Sequence, residues 1–278
     1  MRRDFSFFYG GGGSGYQRGE QKADWFGGKK NPSSGFEDDI CIYVKIRPPE
    51  NHPKHTYYDV DDNPDAVEYL KRHPEVGVIA ICPAAKEYLE EVLKRKDIVC
   101  IPHDHCNYER ILIPNREVKN VGIIGSTSSF QYPVEDFKKQ LSEIGLDLKY
   151  EQDYWNTYKS NSEYEQRINV AMFYLTLDIQ VVWRPRRWRP HSFDPFRNPN
   201  KLGNSAAFGI PTVAFPEDNF VREFDGCFIP VHSIPEMIAE CKKLKDDKKY
   251  YQYYALKGLK RAEKYHIDNL EKLYLGLK

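Results

Sequence analysis

The chain has 278 residues, enough for two compact domains of ordinary size, each with its own core. It carries 41 basic and 41 acidic side chains, so no overall charge draws it onto nucleic acid or an anionic membrane surface. No stretch approaches the roughly 18 consecutive apolar residues of a membrane-spanning helix, and the apolar run at residues 5–9 is too short for a signal-peptide core. We therefore expect a cytoplasmic protein without stable membrane insertion.

Short β-rich runs alternate with helical patterns along the first half of the chain, as in a parallel sheet covered by helices. The run at residues 76–81 is apolar throughout, as expected of a strand buried on both faces, and residues 83–95 place apolar side chains on one helical stripe. The predicted strands are residues 5–9, 39–46, 56–60, 76–81 and 98–102. The predicted helices are residues 17–26, 63–72 and 83–95.

The same pattern restarts after a polar stretch at residues 107–120. The predicted strands of this half are residues 121–125, 179–183, 212–215 and 227–230. The predicted helices are residues 137–144, 162–175, 201–208 and 234–244, followed by a long helical tail at residues 248–277. The fold class predicted is α/β, with two Rossmann-like parallel-sheet domains facing a cleft. The N-terminal domain comprises residues 1–115 with the C-terminal helix at about 262–278, and the C-terminal domain comprises residues 116–261.

One segment carries a specific motif. Residues 198–213 read NPNKLGNSAAFGIPTV, and they follow Ile101-Pro102-His103 and the strand at residues 121–125 in chain order. This order resembles bacterial GT-B glycosyltransferases related to glycosyl transferase group 1, whose donor-site block reads sNKLxNAxAxGxPvI and runs from a helix into a strand. The resemblance implies a metal-independent transferase without a resident cofactor, whose co-substrate is a UDP-, GDP- or dTDP-linked sugar. It also implies that the final helix returns to the N-terminal domain.

The physical character of this block agrees with a donor site. A helix that begins near Asn200 directs backbone N–H groups and a positive dipole end toward a diphosphate. Lys201 neutralises phosphate charge, and Asn204 or Ser205 can hydrogen-bond a ribose hydroxyl or a phosphate; Leu202 completes the predicted set. An ordinary helix between two strands is the alternative interpretation.

The block also departs from the family pattern at two positions. Many retaining members carry two glutamates eight residues apart, where this chain has Phe196 and Asn204. The nucleotide and the stereochemistry of transfer therefore stay open.

Two further strand ends in the second domain suit phosphate binding. Arg184 is the first of four arginines in six residues after a buried strand, and arginine recognises phosphate with two parallel hydrogen bonds. Gly125, Ser126 and Thr127 follow the strand at residues 121–125 and offer amide and hydroxyl groups to a donor phosphate. For the arginines, the alternatives are a solvated basic loop or nucleic-acid binding. For residues 125–127, the alternative is a hydroxyl-capped turn.

The first domain contributes the predicted acceptor side. A glycine run follows the first strand, and the resemblance places Gly12, Gly13 and Tyr16 beside the acceptor and the transferred sugar. Asp61 is a candidate general base, because an inverting transfer needs a group that takes the proton of the acceptor hydroxyl. His103, at the end of a strand, is a candidate for contact with donor or acceptor. The alternatives are a flexible loop for the glycine run, a helix cap for Asp61 and a structural linker for His103.

Two patterns that could suggest a metal are interpreted otherwise. Residues 59–62 read DVDD and resemble the metal motif of GT-A glycosyltransferases, but they lie far in sequence from the donor block. The ligands in the run HDHC at residues 103–106 are too close together to converge on one ion without partners elsewhere. No metal site is predicted.

The function predicted is the transfer of a sugar from a nucleoside-diphosphate sugar to a hydroxyl acceptor. The acceptor could be a polysaccharide, a lipid-linked glycan, a protein or a modified nucleobase. One alternative is a non-catalytic protein that binds nucleotide sugars or saccharides. The other is a nucleic-acid-binding protein or a nucleic-acid-modifying glucosyltransferase that uses the arginines of residues 184–189, which is possible but not favoured at zero net charge.

Overall fold

A computed structural model describes residues 4–113, 117–125, 129–150, 163–185 and 194–278. The chain forms two compact units. The first unit comprises Met1–His103, Ser192–Asn198 and Leu270–Lys278, and the second comprises Asp104–His191 and Pro199–Asn269. The second unit thus begins at Asp104, earlier than the predicted start at residue 116, and the C-terminal residues belong to the first unit.

The first unit contains a six-stranded sheet in the order β2-β1-β3-β4-β5-β6, and all its strand pairs are parallel. The strands are β1 (Phe5–Tyr9), β2 (Lys29–Lys30), β3 (Ile40–Val44), β4 (Thr56–Asp59), β5 (Gly77–Ala80) and β6 (Val99–Cys100). Every residue of β3 is buried, because β3 has a neighbour on each side and helices over its faces. The edge strand β2 was not predicted, since two lysines carry no apolar pattern.

The helices of the first unit lie between these strands. A π-helical turn (Gly15–Glu20) leads into α1 (Gln21–Phe26), and α2 (Ala66–Arg72) and α3 (Pro83–Leu93) follow. Helix α3 begins where Pro83 supplies the first helical residue and the Cys82 thiol accepts a hydrogen bond from the Ala85 amide. Lys94, in a left-handed conformation, ends it.

The core of the first unit has two parts. One packs β4 and β5 against α2 and α3, and it includes Phe196, whose ring lies edge-on to Tyr88 with centroids 5.5 Å apart. The other packs β1 and β3 against the end of the chain, where the Tyr274 ring lies 5.3 Å from Phe26 and 6.4 Å from Phe7. The end of the chain thus packs through apolar side chains against the sheet of the first unit, as the predicted return of the C-terminal helix requires.

The second unit contains a five-stranded parallel sheet in the order β11-β10-β9-β7-β8. The strands are β7 (Asn120–Ile123), β8 (Asp147–Tyr150), β9 (Ile179–Val182), β10 (Thr212–Ala214) and β11 (Ile229–Pro230). Strand β8 was not predicted. It lies at the edge and alternates exposed with half-buried residues, so it lacks the continuous apolar run of the central strands.

Helices pack around this sheet and over its apolar core. They are α4 (Val134–Glu143), α5 (Glu163–Leu175), α6 (Asn200–Ala207), α7 (Asp218–Phe224), α8 (Ile234–Asp246) and α9 (Lys248–Ala262). Within the described ranges, no helix has both the length and the apolar composition needed to cross a bilayer.

The helical tail predicted at residues 248–277 consists of two helices. A 3₁₀ turn (Glu263–Tyr265) separates α9 from α10 (Ile267–Leu275), and His266 between them has an extended backbone. The Tyr265 hydroxyl donates to the buried Glu223 carboxylate at 2.6 Å, and His266 Nε2 contacts the Tyr108 carbonyl at 3.0 Å. These inward contacts turn the backbone where sequence periodicity alone continues the helix.

Each sheet has one point at which successive strands are added on opposite sides. In the first unit this point lies between β1 and β3, and in the second it lies between β7 and β9. Open parallel sheets bind ligands at the carboxyl ends of the strands beside such a point. The topology therefore indicates where functional residues should be sought in each unit.

Candidate functional sites in the two units

The carboxyl end of β7 is shaped by close contact between Gly125 and Lys201. The Lys201 ammonium donates a hydrogen bond to the carbonyl oxygen of Ile124. Gly125 has a φ of +102°, and a Cβ there would lie 2.6 Å from both Lys201 Nζ and Ser129 Oγ. Only glycine fits this conformation and this approach. The lysine predicted for phosphate binding therefore lies at the point indicated by the topology.

Helix α6 places its N-terminus beside the same lysine. Pro199 occupies the N-cap and no side chain caps the helix, while the Leu202 and Gly203 amides bond the Pro199 carbonyl at 2.9 and 3.1 Å. Asn200 and Lys201 are the first two residues of the helix. A helix N-terminus carrying a lysine in its first turn attracts an anion.

The next three predicted donor residues face the interior of the second unit. Leu202 is buried in an apolar cluster. The Asn204 side chain accepts from the Cys106 amide at 2.7 Å and donates to Asn200 at 3.2 Å. The Ser205 hydroxyl is buried and shares a 2.6 Å hydrogen bond with Thr212. These contacts hold α6 in position. Direct contact of Leu202, Asn204 or Ser205 with a donor stays a prediction.

Arg184, just beyond β9, forms a bidentate ion pair that the sequence analysis did not foresee. Its Nε and Nη2 donate to the two carboxylate oxygens of Glu217 at 2.6 and 2.8 Å. The arginine side chain is 20% exposed, and the glutamate is buried. Glu217 follows β10, the neighbour of β9, so its position after a strand end was the available signal. The pair fixes the guanidinium at the carboxyl edge of the sheet.

Two predicted donor residues, Ser126 and Thr127, lie outside the described residues, as do the remaining arginines of the cluster. Their contribution to phosphate binding stays a prediction.

In the first unit, the glycine loop joins β1 to the π-helical turn at the β1–β3 point. Gly12 and Gly13 are exposed, and the Tyr16 amide bonds the Gly12 carbonyl at 3.0 Å. A Cβ on Gly15 would lie 2.0 Å from the Gly10 carbonyl oxygen, so the helix can approach the loop only with glycine at this position. The loop therefore presents backbone groups at the edge where ligands bind.

Asp61 and His103, predicted separately, form a pair in the structure. His103 Nε2 lies 2.7 Å from Asp61 Oδ1, and His103 Nδ1 lies 3.1 Å from Gln17 Oε1. Asp61 is buried with a left-handed backbone (φ +48°), which turns its side chain back at the end of β4. Burial alone would raise the pKa of Asp61, but the opposing effects of His103 and Arg18 are larger and lower it below its ordinary value. The carboxylate thus stays ionised and orients the imidazole.

A second buried ion pair supports this arrangement. Arg18 Nε donates to Asp59 at 2.7 Å, and Arg18 Nη2 donates to the Ile101 carbonyl at 3.0 Å, so one side chain ties the π-helical turn to the ends of β4 and β6. Burial opposes the charge on Arg18, yet the carboxylates of Asp59 and Asp61 raise its pKa overall. Nothing in the sequence pattern marks Arg18 as buried.

The three carboxylates of residues 59–62 have different nearest partners, although Lys45 lies within 3.8 Å of Asp61 as well as beside Asp62. Asp59 pairs with Arg18, Asp61 with His103, and Asp62 with Lys45. Each carboxylate is thus turned toward a side chain of the protein.

Neither a protein-family model nor a curated protein sequence matches the chain. Solved structures do. TarM of S. aureus has a TM-score of 0.57 at 11% identity, over 87% of this chain and 55% of that chain. The pneumococcal O-GlcNAc transferase GtfA, in complex with UDP and GlcNAc, has a TM-score of 0.52 at 14% identity. The match covers 86% of this chain and 52% of GtfA. A glycosyltransferase from Rickettsia africae ESF-5 has a TM-score of 0.55 at 12% identity. The match covers 92% of this chain and 86% of that protein.

These similarities concern the fold. The chain spans little more than half the length of TarM and GtfA, and most of the length of the Rickettsia protein. Its two parallel-sheet α/β units are those of the GT-B fold, and the predicted fold class of two such units is confirmed.

Proposed function

We propose that this GT-B chain is a metal-independent glycosyltransferase that moves a sugar from a nucleoside-diphosphate sugar to a hydroxyl acceptor. The observation that carries the proposal is the arrangement at the β7–β9 point of the second unit. There Lys201, Gly125 and the N-terminus of α6 meet at the carboxyl edge of the sheet. A structure with the same fold, GtfA, was solved with UDP and GlcNAc.

The diphosphate of the donor would bind at the N-terminus of α6. The hydrogen bond from Lys201 to the Ile124 carbonyl holds the ammonium in place before a ligand arrives, which reduces the entropy lost on binding. Arg184 uses Nε and Nη2 for Glu217, so Nη1 is the group it would offer to a phosphate oxygen. Fixed positive groups of this kind stabilise the negative charge that develops on the leaving diphosphate.

The Asp61–His103 pair is the proposed proton acceptor of the reaction. In an inverting transfer a base removes the proton of the acceptor hydroxyl. Neutral His103 would donate its Nε2–H to the Asp61 carboxylate, and Nδ1, which lies 3.1 Å from Gln17 Oε1, would take the proton when the acceptor hydroxyl replaces that contact. The backbone of Gly12 and Gly13 and the ring of Tyr16 are the proposed contacts for acceptor and sugar. A retaining transfer would not need this base, so the configuration of the product decides its role.

The donor nucleotide is proposed to be UDP, GDP or dTDP, with UDP tested first because it is present in the GtfA complex. The proposed acceptor is a saccharide or another hydroxyl compound, and a cytoplasmic location is part of the proposal.

The test is a thermal-shift and titration panel of UDP, GDP, dTDP and their sugars. A ligand at 100 times its dissociation constant should stabilise the protein by about 2.7 kcal/mol. Lys201→Ala should weaken binding at least about 10-fold, since one charge-assisted hydrogen bond of about 1.5 kcal/mol is lost. The matched control is Lys249→Ala, an exposed lysine at the second position of α9, a helix capped by Asp247.

Two outcomes would contradict the proposal. The first is the absence of stabilisation by every nucleotide in the panel, and the second is equal loss of affinity in the Lys201 and Lys249 variants. Slow release of sugar from the donor without acceptor distinguishes an enzyme from a protein that only binds nucleotide sugars.

A further inference from the structure

Three side chains with metal-binding atoms converge at the amino-terminal edge of the first unit's sheet. His52 precedes β4, while His73 and Glu75 precede β5, the next strand of the sheet. One ligand atom from each lies within 4.8 Å of the others. This edge is opposite to the carboxyl ends of the strands, where Asp61 and His103 lie, so the cluster is separate from the proposed reaction.

Two of the three distances within the cluster match the edges of a metal coordination shell. Glu75 Oε1 lies 3.2 Å from His52 Nε2 and 3.3 Å from His73 Nδ1. A tetrahedral Zn²⁺ with bonds of about 2.0–2.1 Å to nitrogen and oxygen has ligand atoms roughly 3.3–3.4 Å apart. The Glu75 oxygen is thus already at the spacing from each imidazole that a bound ion requires, and the two histidines offer nitrogens within 4.8 Å of each other.

The opposite nitrogen of each imidazole already has a partner. His52 Nδ1 lies 3.0 Å from the Pro53 carbonyl oxygen, and His73 Nε2 lies 3.5 Å from Glu50 Oε2. The His73 ring also stacks on Tyr69, with centroids 4.2 Å apart. In metal sites, a carbonyl or carboxylate on the far nitrogen fixes the ring orientation and makes the ligating nitrogen more basic. Both histidines are therefore held with a nitrogen directed toward the cluster.

We propose that His52, His73 and Glu75 form a transition-metal site of the Zn²⁺ class, with water completing the coordination. Two imidazoles and one carboxylate favour Zn²⁺ over Mg²⁺ or Ca²⁺, which prefer oxygen ligands. The histidine side chains are 9% and 12% exposed and Glu75 is 56% exposed, so the ion reaches the site from the carboxylate side. The metal links the segment before β4 to the turn before β5.

The test uses the full chain, freed of metal with a chelator, and Zn²⁺ or Co²⁺ alone as the probe. Equilibrium dialysis should give one Zn²⁺ per chain, and Co²⁺ should give the visible absorption of a four- or five-coordinate site with nitrogen ligands. Glu50→Gln should weaken Zn²⁺ binding about 10-fold, because Glu50 contacts the far nitrogen of His73. His73→Ala and Glu75→Gln should each weaken binding by more than this, because each removes a ligand. The matched control is His55→Ala, a half-buried histidine of the same segment outside the cluster.

Several results would overturn the proposal. One is the absence of stoichiometric Zn²⁺ binding, which would leave the three side chains as a hydrogen-bonded group. Another is unchanged affinity in the His73 or Glu75 variants, and a third is an equal loss in His55→Ala. Glu75→Gln changes an exposed side chain, so the metal-free variant should have the circular dichroism spectrum of the wild type. Loss of the Co²⁺ absorption in this folded variant then shows that the Glu75 carboxylate binds the metal.

Discussion

Asp59→Asn removes one charge from the buried pair that joins the π-helical turn of the first unit to its sheet. Both side chains of the Arg18–Asp59 pair are 0% exposed, and the bond between them is 2.7 Å long. Asparagine keeps the shape of aspartate, so the change leaves the Arg18 cation buried without its counter-charge. Breaking a buried pair in this way costs about 3–5 kcal/mol. We expect a value near the lower end of this range, because Arg18 retains its hydrogen bond to the Ile101 carbonyl.

The assay is urea unfolding combined with hydrogen exchange of the amides in β4 and β6, which report on the first unit separately. The control is Glu68→Gln, which breaks a pair with Lys71 whose side chains are 77% and 47% exposed, and which should cost less than about 1 kcal/mol. The double variant Arg18→Met, Asp59→Asn should recover part of the lost stability, since neither side chain of the pair then leaves the other as an unpaired buried charge. If Asp59→Asn changes the free energy of unfolding by less than the control does, the reasoning from burial is refuted.

Three further predictions concern the two candidate sites. Gly125→Ala should cost more than about 1 kcal/mol of stability, since alanine is strained at φ +102° and displaces Lys201, and titration with UDP should show weaker binding. Arg184→Met should lower both stability and UDP affinity, whereas a loss of stability alone would assign the arginine solely to its pair with Glu217. The wild type should have a higher free energy of unfolding than Asp61→Asn, and this difference should shrink as the pH falls below about 4, because the folded-state pKa of this carboxyl lies below its unfolded value. A pH series of denaturant titrations that shows no such decrease would contradict the pKa assignment.

Most of the fold could be predicted from local pattern, and the two strands that were not predicted share a physical cause. Central strands such as β3 and β5 are buried on both faces and therefore form apolar runs that can be recognised in the sequence. The edge strands β2 and β8 are partly solvated and lack such runs. The turn at His266 was missed because it depends on contacts with Glu223 and Tyr108 that helical periodicity does not encode.

The alternation of strands and helices can be recognised in the sequence alone, as can the GT-B resemblance and the position of Lys201 in the first turn of α6. Which charged groups meet depends on the folded chain. Arg184 and Glu217 are 33 residues apart in the chain, Arg18 and Asp59 are 41 apart, and Asp61 and His103 are 42 apart. Periodicity reflects the burial of each segment, whereas these pairs arise because parallel strands bring their carboxyl ends to one edge of a sheet.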